Sequence, residues 1–245
     1  MNNSVSQELL KFLQKSPTAF HAVAQMKDEL LKARFTELKE NERWKIERGG
    51  HYFVTRNDSS LIAFTIPENG IDKMHILTSH SDSPTFKIKE NPEIEVEKHY
   101  VKLNVEKYGG MLCAPWFDRP LSVAGRVIIK DKTNGQFTSK LVNIDRDLVM
   151  IPNLAIHMNR EINSGYNYNA QKDLLPLYGC GSPKGTFMEQ IAEAAGVEKD
   201  EILGHDLFLY NRQEGSIWGA SEEFISSGRL DDLQCAFASL QGFLS

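Results

Sequence analysis

Between Phe86 and Leu148 short β-type segments dominate, most of them with apolar residues at alternate positions, and this is the feature that most restricts the fold. Phe86 and Ile88, Ile94 and Val96, Val101, Leu103 and Val105, and Val127 and Ile129 follow that rhythm, with turn residues between the runs. A period of two puts alternate side chains on one face of a strand, so this stretch reads as a compact β domain of short strands.

The flanking segments have a different texture. Leu9, Leu10 and Leu13, then Phe20, Val23, Met26 and Leu30, recur at helical spacing and are interrupted by Ser16-Pro17-Thr18. The residue before a proline avoids helical angles and Pro17 suits a first turn, so two helices separated by a short turn are predicted over residues 4–33. Four strands are predicted next: Arg43 to Arg48, Tyr52 to Arg56, Leu61 to Ile66 and Met74 to Ser79. The first three have hairpin spacing, and the last reads as a more central strand emptying into the polar loop Ser79 to Pro84. Further on, Ser182 to Ala195 reads as a helix, Ile202 to Tyr210 as a strand and Arg229 to Leu244 as a helix striped by Leu233, Phe237 and Leu240. The expected organisation is a first part at 1–85, an inserted β-rich domain at 86–221, and a return to the first domain at 222–245. The last helical pattern is still running at Ser245, and the expectation is that the natural polypeptide is longer.

Composition narrows the function classes. The 245 residues are 41% hydrophobic and 25% charged, with a formal charge of −5, which gives no basic excess for nucleic acid or an anionic membrane. Met1-Asn2-Asn3-Ser4 is not followed by a signal-like apolar run, and no apolar stretch reaches the roughly 20 residues that span a bilayer. Cys113, Cys180 and Cys235 are far apart and odd in number, the pattern of reduced thiols in a cytoplasmic protein.

Two short segments could carry chemistry. In Thr78-Ser79-His80-Ser81-Asp82-Ser83-Pro84, the side chains of His80 and Asp82 project to the same side of an extended chain. Imidazole suits zinc, cobalt or manganese, and a carboxylate two positions on can ligate as well or hold the ring. The plainer reading is a loop histidine beside a turn-capping aspartate. In Ser226-Ser227-Gly228-Arg229-Leu230-Asp231-Asp232, one carboxylate could bridge two metals, or both could simply complement a helix dipole. Spacing alone does not choose between Asp231 and Asp232.

Read in order, Ser16-Pro17-Thr18-Ala19-Phe20-His21, Ser79-His80-Ser81-Asp82-Ser83-Pro84, Tyr108-Gly109-Gly110 with Trp116 to Val127, Ile151-Pro152-Asn153-Leu154-Ala155-Ile156-His157 and Phe224 to Leu233 form a collinear series. Together they resemble the aspartyl aminopeptidase family of metallopeptidases over nearly the whole chain. The resemblance implies an α/β fold, a three-layer peptidase domain (incomplete here) interrupted by a β-rich dimerisation domain. It implies that His80 is a metal ligand, that Asp82 orients His80, and that Asp231 bridges two divalent metal ions, with zinc the first choice. It implies that His157 reaches the active site of a neighbouring subunit and helps stabilise an oxyanion. The reaction implied is removal of an acidic N-terminal residue from peptides with a free N-terminus, by water activated between the two metals, in a homo-oligomer built through the β-rich domain. The family's remaining site residues follow the Arg-Leu-Asp helix: an acidic pair holding the general base, a further acidic ligand and a late histidine.

Other candidates carry less. Glu222-Glu223 precede the Arg-Leu-Asp motif and read as surface charges, while His75 reads as a core residue of its strand. Trp116 and Phe117 read as β-domain core, with Asp118 and Arg119 neutralising each other. No phosphate loop or serine-hydrolase elbow is present. Two rival functions stand beside the aminopeptidase: a catalytically incompetent assembly module, because the chain ends before the other ligands, and, more weakly, another two-metal hydrolase.

Overall fold

The computed structural model describes residues 3–131 and 135–245, and the chain divides into two compact units. One consists of 1–83 with 214–245, the other of 84–213.

The first unit opens with α1 (Asn3–Lys15) and α2 (Ala19–Lys32), separated at Ser16-Pro17-Thr18 as the proline requires. Thr18 is the N-cap of α2, and its hydroxyl meets His21 Nδ1 at 2.9 Å, one turn into the helix. Three strands follow, β1 (Thr36–Leu38), β2 (His51–Arg56) and β3 (Ser60–Thr65). β1 pairs parallel to β2, and β2 pairs antiparallel to β3. The β2–β3 turn places Asn57 and Asp58 at φ of 53° and 52° and is closed by the Ser59 amide on the Arg56 carbonyl. Asn and Asp tolerate that left-handed region better than other side chains.

Two predicted strands are absent. Arg43 to Arg48 pairs with nothing regular, because the edge of β2 that a hairpin would use is taken by β1. Trp44 instead stacks on Phe64 and donates its indole N–H to the Lys39 carbonyl. Met74 to Ser79 also lies outside every ladder, with Met74, Ile76 and Leu77 all exposed. A β-type sequence becomes a strand only by pairing, and this segment finds no partner among the described residues. His75 is likewise exposed and not a core residue.

The second unit is one six-stranded antiparallel sheet in the order β7-β6-β9-β4-β5-β8. Its members are β4 (Thr85–Val96), β5 (Tyr100–Tyr108), β6 (Leu121–Lys130), β7 (Phe137–Asn143), β8 (Leu177–Cys180) and β9 (Ile202–Asn211). The two short strands expected on either side of Asn91-Pro92 are a single β4 with a bulge between Ile88 and Glu93, the position where a strand accommodates proline. Gly125 lies where β6 crosses closest to β9: a Cβ there would stand 2.0 Å from the Asp206 carbonyl oxygen. The core, including Phe86, Ile88, Leu103, Leu121, Val123, Val127, Leu207 and Leu209, collects the apolar face set by the period of two.

The helix α3 (Phe187–Ala195) starts five residues later than its apolar pattern suggests. Residues 183–186 form a turn, and the Glu93 carboxylate, turned out by the bulge, accepts the Phe187 amide at 2.7 Å. An anionic oxygen on an otherwise unpaired N-terminal amide fixes where the helix begins. Trp116 and Phe117 do pack on this core. Asp118 and Arg119, however, do not chiefly neutralise each other. Asp118 accepts the backbone and side-chain amides of Asn153 at 2.9 and 2.8 Å, while Arg119 donates to Gln213. Those two amide hydrogen bonds hold the Asp118 carboxyl below its ordinary pKa, assisted by the Arg119 charge.

The chain then returns to the first unit through the hairpin β10 (Ser216–Trp218) and β11 (Phe224–Ser226), and ends in α4 (Leu230–Leu244). Leu233, Ala236, Phe237 and Leu240 recur at helical spacing and pack with Leu9, Phe12 and Leu13 of α1 and with Phe53 of β2. The Phe12 and Phe237 rings meet at 5.6 Å.

Candidate metal centre

Two loops of the first unit converge. One is the extended segment around His80, the other the stretch from the end of β11 into the opening of α4, where Asp231 and Asp232 have non-helical backbone angles. The hydroxyl of Ser81 donates to the Ser59 carbonyl at 2.9 Å, which fastens the histidine loop to the β2–β3 turn. From the other side, the His80 amide donates to Asp232 Oδ2 at 3.1 Å. Both bonds are backbone restraints on the position from which the imidazole projects.

The ring itself is oriented by Asp82. His80 Nδ1 lies 3.0 Å from Asp82 Oδ1 and 3.1 Å from the Asp82 carbonyl oxygen. With two acceptors at Nδ1, the neutral ring carries its proton there and turns a bare Nε2 lone pair outward. That Nε2 is 3.4 Å from Asp231 Oδ1 and 3.7 Å from Asp232 Oδ2. Donors bound ~2.0–2.1 Å from one tetrahedral zinc stand about 3.4 Å apart, so the spacing matches ligands of a shared cation. His80, Asp231 and Asp232 form the one cluster of possible metal donors among the described residues, their atoms all within 4.8 Å.

The two carboxylates are not equivalent. Asp232 is already engaged by the His80 amide and the Cys235 thiol; the thiol's hydrogen bond keeps its carboxyl below the usual range. Asp231 is largely exposed and open to a ligand. Adjacent in sequence, they divide into one carboxylate that ties the loops together and one that faces outward. Desolvation is the largest single influence and pulls the His80 pKa down, but hydrogen bonds to Asp82 and the Asp232 and Asp82 charges together outweigh it and hold the ring above its ordinary value.

The sequence brings His80, Asp82 and Asp231 forward, and the structure gathers those three in one place. His157 lies in the other unit, exposed on a short 3-10 turn at Ile156–Met158. Glu222 and Glu223 are exposed, with Glu223 accepting the Ser221 amide. Cys235 and Ser81 escape a search for ligands because Ser81 is not a usual metal-ligand type and Cys235 has no paired cysteine nearby; the one signal for Cys235 is its position about one helical turn after Asp232.

A family model described as aminopeptidase I zinc metalloprotease (M18) matches residues 12–245. The chain belongs to the M18 family. A probable M18 family aminopeptidase 2 from Clostridium novyi is 48% identical over 250 residues, covering 99% of this chain and 58% of that protein. Among solved structures, Chaetomium thermophilum mApe1 superposes with a TM-score of 0.87 at 32% identity, over 99% of this chain and 58% of the other. The yeast (S. cerevisiae) mApe1 dodecamer gives 0.81 at 27% identity, over 99% and 56%. The chain thus spans a little over half the length of the relatives it matches, and it shares its mixed α/β architecture with the solved structures.

Proposed function

We propose that the first unit supplies part of the metal centre of an aminopeptidase, with His80 and Asp231 as ligands. The observation that carries this reading is the 3.4 Å approach of His80 Nε2 to Asp231 Oδ1 while Asp82 occupies the other ring nitrogen. Imidazole and carboxylate are the donors zinc accepts, and the family is one of zinc metalloproteases. Bound there, divalent zinc supplies Lewis acidity toward a scissile carbonyl and toward water.

The residues of this chain have distinct tasks. His80 would hold a cation through a neutral nitrogen, Asp82 fixes its tautomer and direction, and Asp231 would hold the metal centre with its negative carboxylate, the bridging ligand of a two-metal site on the family resemblance. Asp232 holds the two loops in register through the His80 amide. The substrates of the whole protein are peptides with a free N-terminus, with Asp or Glu first, as the aspartyl aminopeptidases imply. His157, on an exposed turn, is assigned to the active site of a neighbouring subunit in a homo-oligomer. The relative solved as a dodecamer is consistent with such an assembly. The three free cysteines fit a reducing compartment such as the cytoplasm, and no helix among the described residues is long and apolar enough to cross a membrane.

A second reading is favoured by one observation. Among the described residues the cluster offers three donors and no fourth, and on this reading the 245 residues alone act as an assembly module that needs other ligands for turnover. Hydrolysis of Asp- and Glu-arylamides, with and without a chelator, separates the readings. Little or no turnover is expected from this chain, and chelator-sensitive turnover from the same residues within a chain of the relatives' length. Robust turnover by the 245 residues would contradict the assigned ligand set. A long chain indifferent to chelator would contradict the metal centre.

A further inference from the structure

We propose that Arg229 is a positioning residue for the metal centre, fastening the Asp231 loop to the C-terminal end of α1. The proposal rests on the metal-centre reading above and adds to it a residue that contacts neither cation nor substrate.

Arg229 has a left-handed backbone, φ 62° and ψ 19°, and only Leu230 separates it from the two aspartates. Left-handed angles are unfavourable for a side chain of this kind, so something must hold the residue there. Its guanidinium supplies the restraint: Nη2 donates to the Leu13 carbonyl at 2.8 Å, across 216 residues of sequence. That carbonyl belongs to the last turn of α1, where carbonyl oxygens lack intrahelical donors and the helix dipole is negative. It also accepts the Ser16 amide at 3.2 Å, so both its lone pairs are used at the break before α2.

On its main-chain side, Arg229 offers its carbonyl to the Leu233 amide at 3.3 Å, opening the ladder of α4. Asp231 and Asp232 therefore lie within a span whose first residue is pinned to α1 and whose last is pinned to the helix. Packing points the same way. A Cβ on Gly215 would stand 2.5 Å from Leu10 Cδ2 of α1 and 2.8 Å from Ser227 Oγ, so helix and loop approach with no room between them. Movement of the α1 end would swing the Asp231 carboxylate relative to His80, and a metal site tolerates only a few tenths of an ångström of ligand displacement.

The test measures zinc affinity by competition with a chromophoric chelator in the 245-residue chain, and the visible spectrum of its cobalt form. Arg229→Met keeps the bulk and removes the donor; it is expected to weaken zinc about tenfold and alter the cobalt spectrum, as loss of an outer support does. Arg229→Lys retains one donor and is expected to stay within about threefold of the parent. Phe12→Leu loosens the packing of α1 on α4 without touching the hydrogen bond and is expected to cost clearly less zinc affinity than Arg229→Met. In the unaltered chain, zinc should slow amide hydrogen exchange at Lys15 and Ser16 as well as in the two loops. This holds the proposal to account even if Arg229→Met fails to fold. Zinc affinity unaffected by Arg229→Met, an equal loss in Phe12→Leu, or no zinc effect on exchange at Lys15 and Ser16 would each overturn the positioning role alone. Absence of His80-dependent zinc binding in the unaltered chain would overturn the metal centre, and this role with it.

Discussion

The two units solve the same problem with different completeness. In the unit of residues 84–213, each β-type run expected from the period of two is paired, and its apolar face is covered. In the unit of residues 1–83 and 214–245, three helices cover a sheet of three strands, while Met74, Ile76 and Leu77 stand in solvent on a segment that joins no ladder. The 74–79 segment has the composition of a strand; among the described residues it lacks a partner. The histidine of the candidate metal centre follows directly on the unpaired segment. Its loop is held by specific hydrogen bonds from Ser81, Asp82 and Asp232, not by a sheet.

The comparison can be broken at its strongest point first. Phe187 is fully buried on the six-stranded sheet, and Phe187→Ala is expected to cost about 3–5 kcal/mol, read from denaturant unfolding. A cost below about 1 kcal/mol would show that this core is not closed as described.

A slightly smaller effect belongs to the helices of the first unit. Burial lowers the His21 pKa to about 4, from 6.5 in an unfolded chain. The folded state keeps the ring neutral, so its contribution is full above pH 6.5, declines as pH falls, and is lost by pH 4, about 3 kcal/mol in all. His21→Leu should flatten stability against pH across that window. An unchanged profile would mean that other groups carry the acid sensitivity.

The smallest effect is expected where the first unit is uncovered. Ile76→Ser should change stability by no more than about 0.5 kcal/mol, against the several expected at Phe187. Amide exchange at 74–79 should be fast, while that of β6 and β9 is slow. A loss above about 1 kcal/mol at Ile76, or slow exchange there, would show that the segment is paired in solution.

Much of this was legible in the sequence where interactions are local. The stripes of α1, α2 and α4 and the alternation of β5, β6 and β9 are written in spacing, and the break at Ser16-Pro17 follows from proline itself. What escaped depended on distant partners. β1 is three residues long and exists because β2 offers an edge; Met74 to Ser79 has the composition of a strand and no such edge. The start of α3 is set by Glu93, some ninety positions away. At the site, ordered motifs brought His80, Asp82 and Asp231 together, but two adjacent carboxylates cannot be ranked by spacing. Their division rests on the His80 amide and Cys235 thiol that Asp232 accepts, and the Arg229 to Leu13 bond has no sequence signature at all.

One titration addresses the pairing of His80 with Asp231 most directly. Cobalt or zinc added to the chain at neutral pH should bind, with His80→Ala and Asp231→Ala each weakening binding on the order of a hundredfold and His75→Ala leaving it unchanged. Equal binding by the parent, His80→Ala and Asp231→Ala would mean that these two side chains do not share a cation, and the account of the site would be wrong.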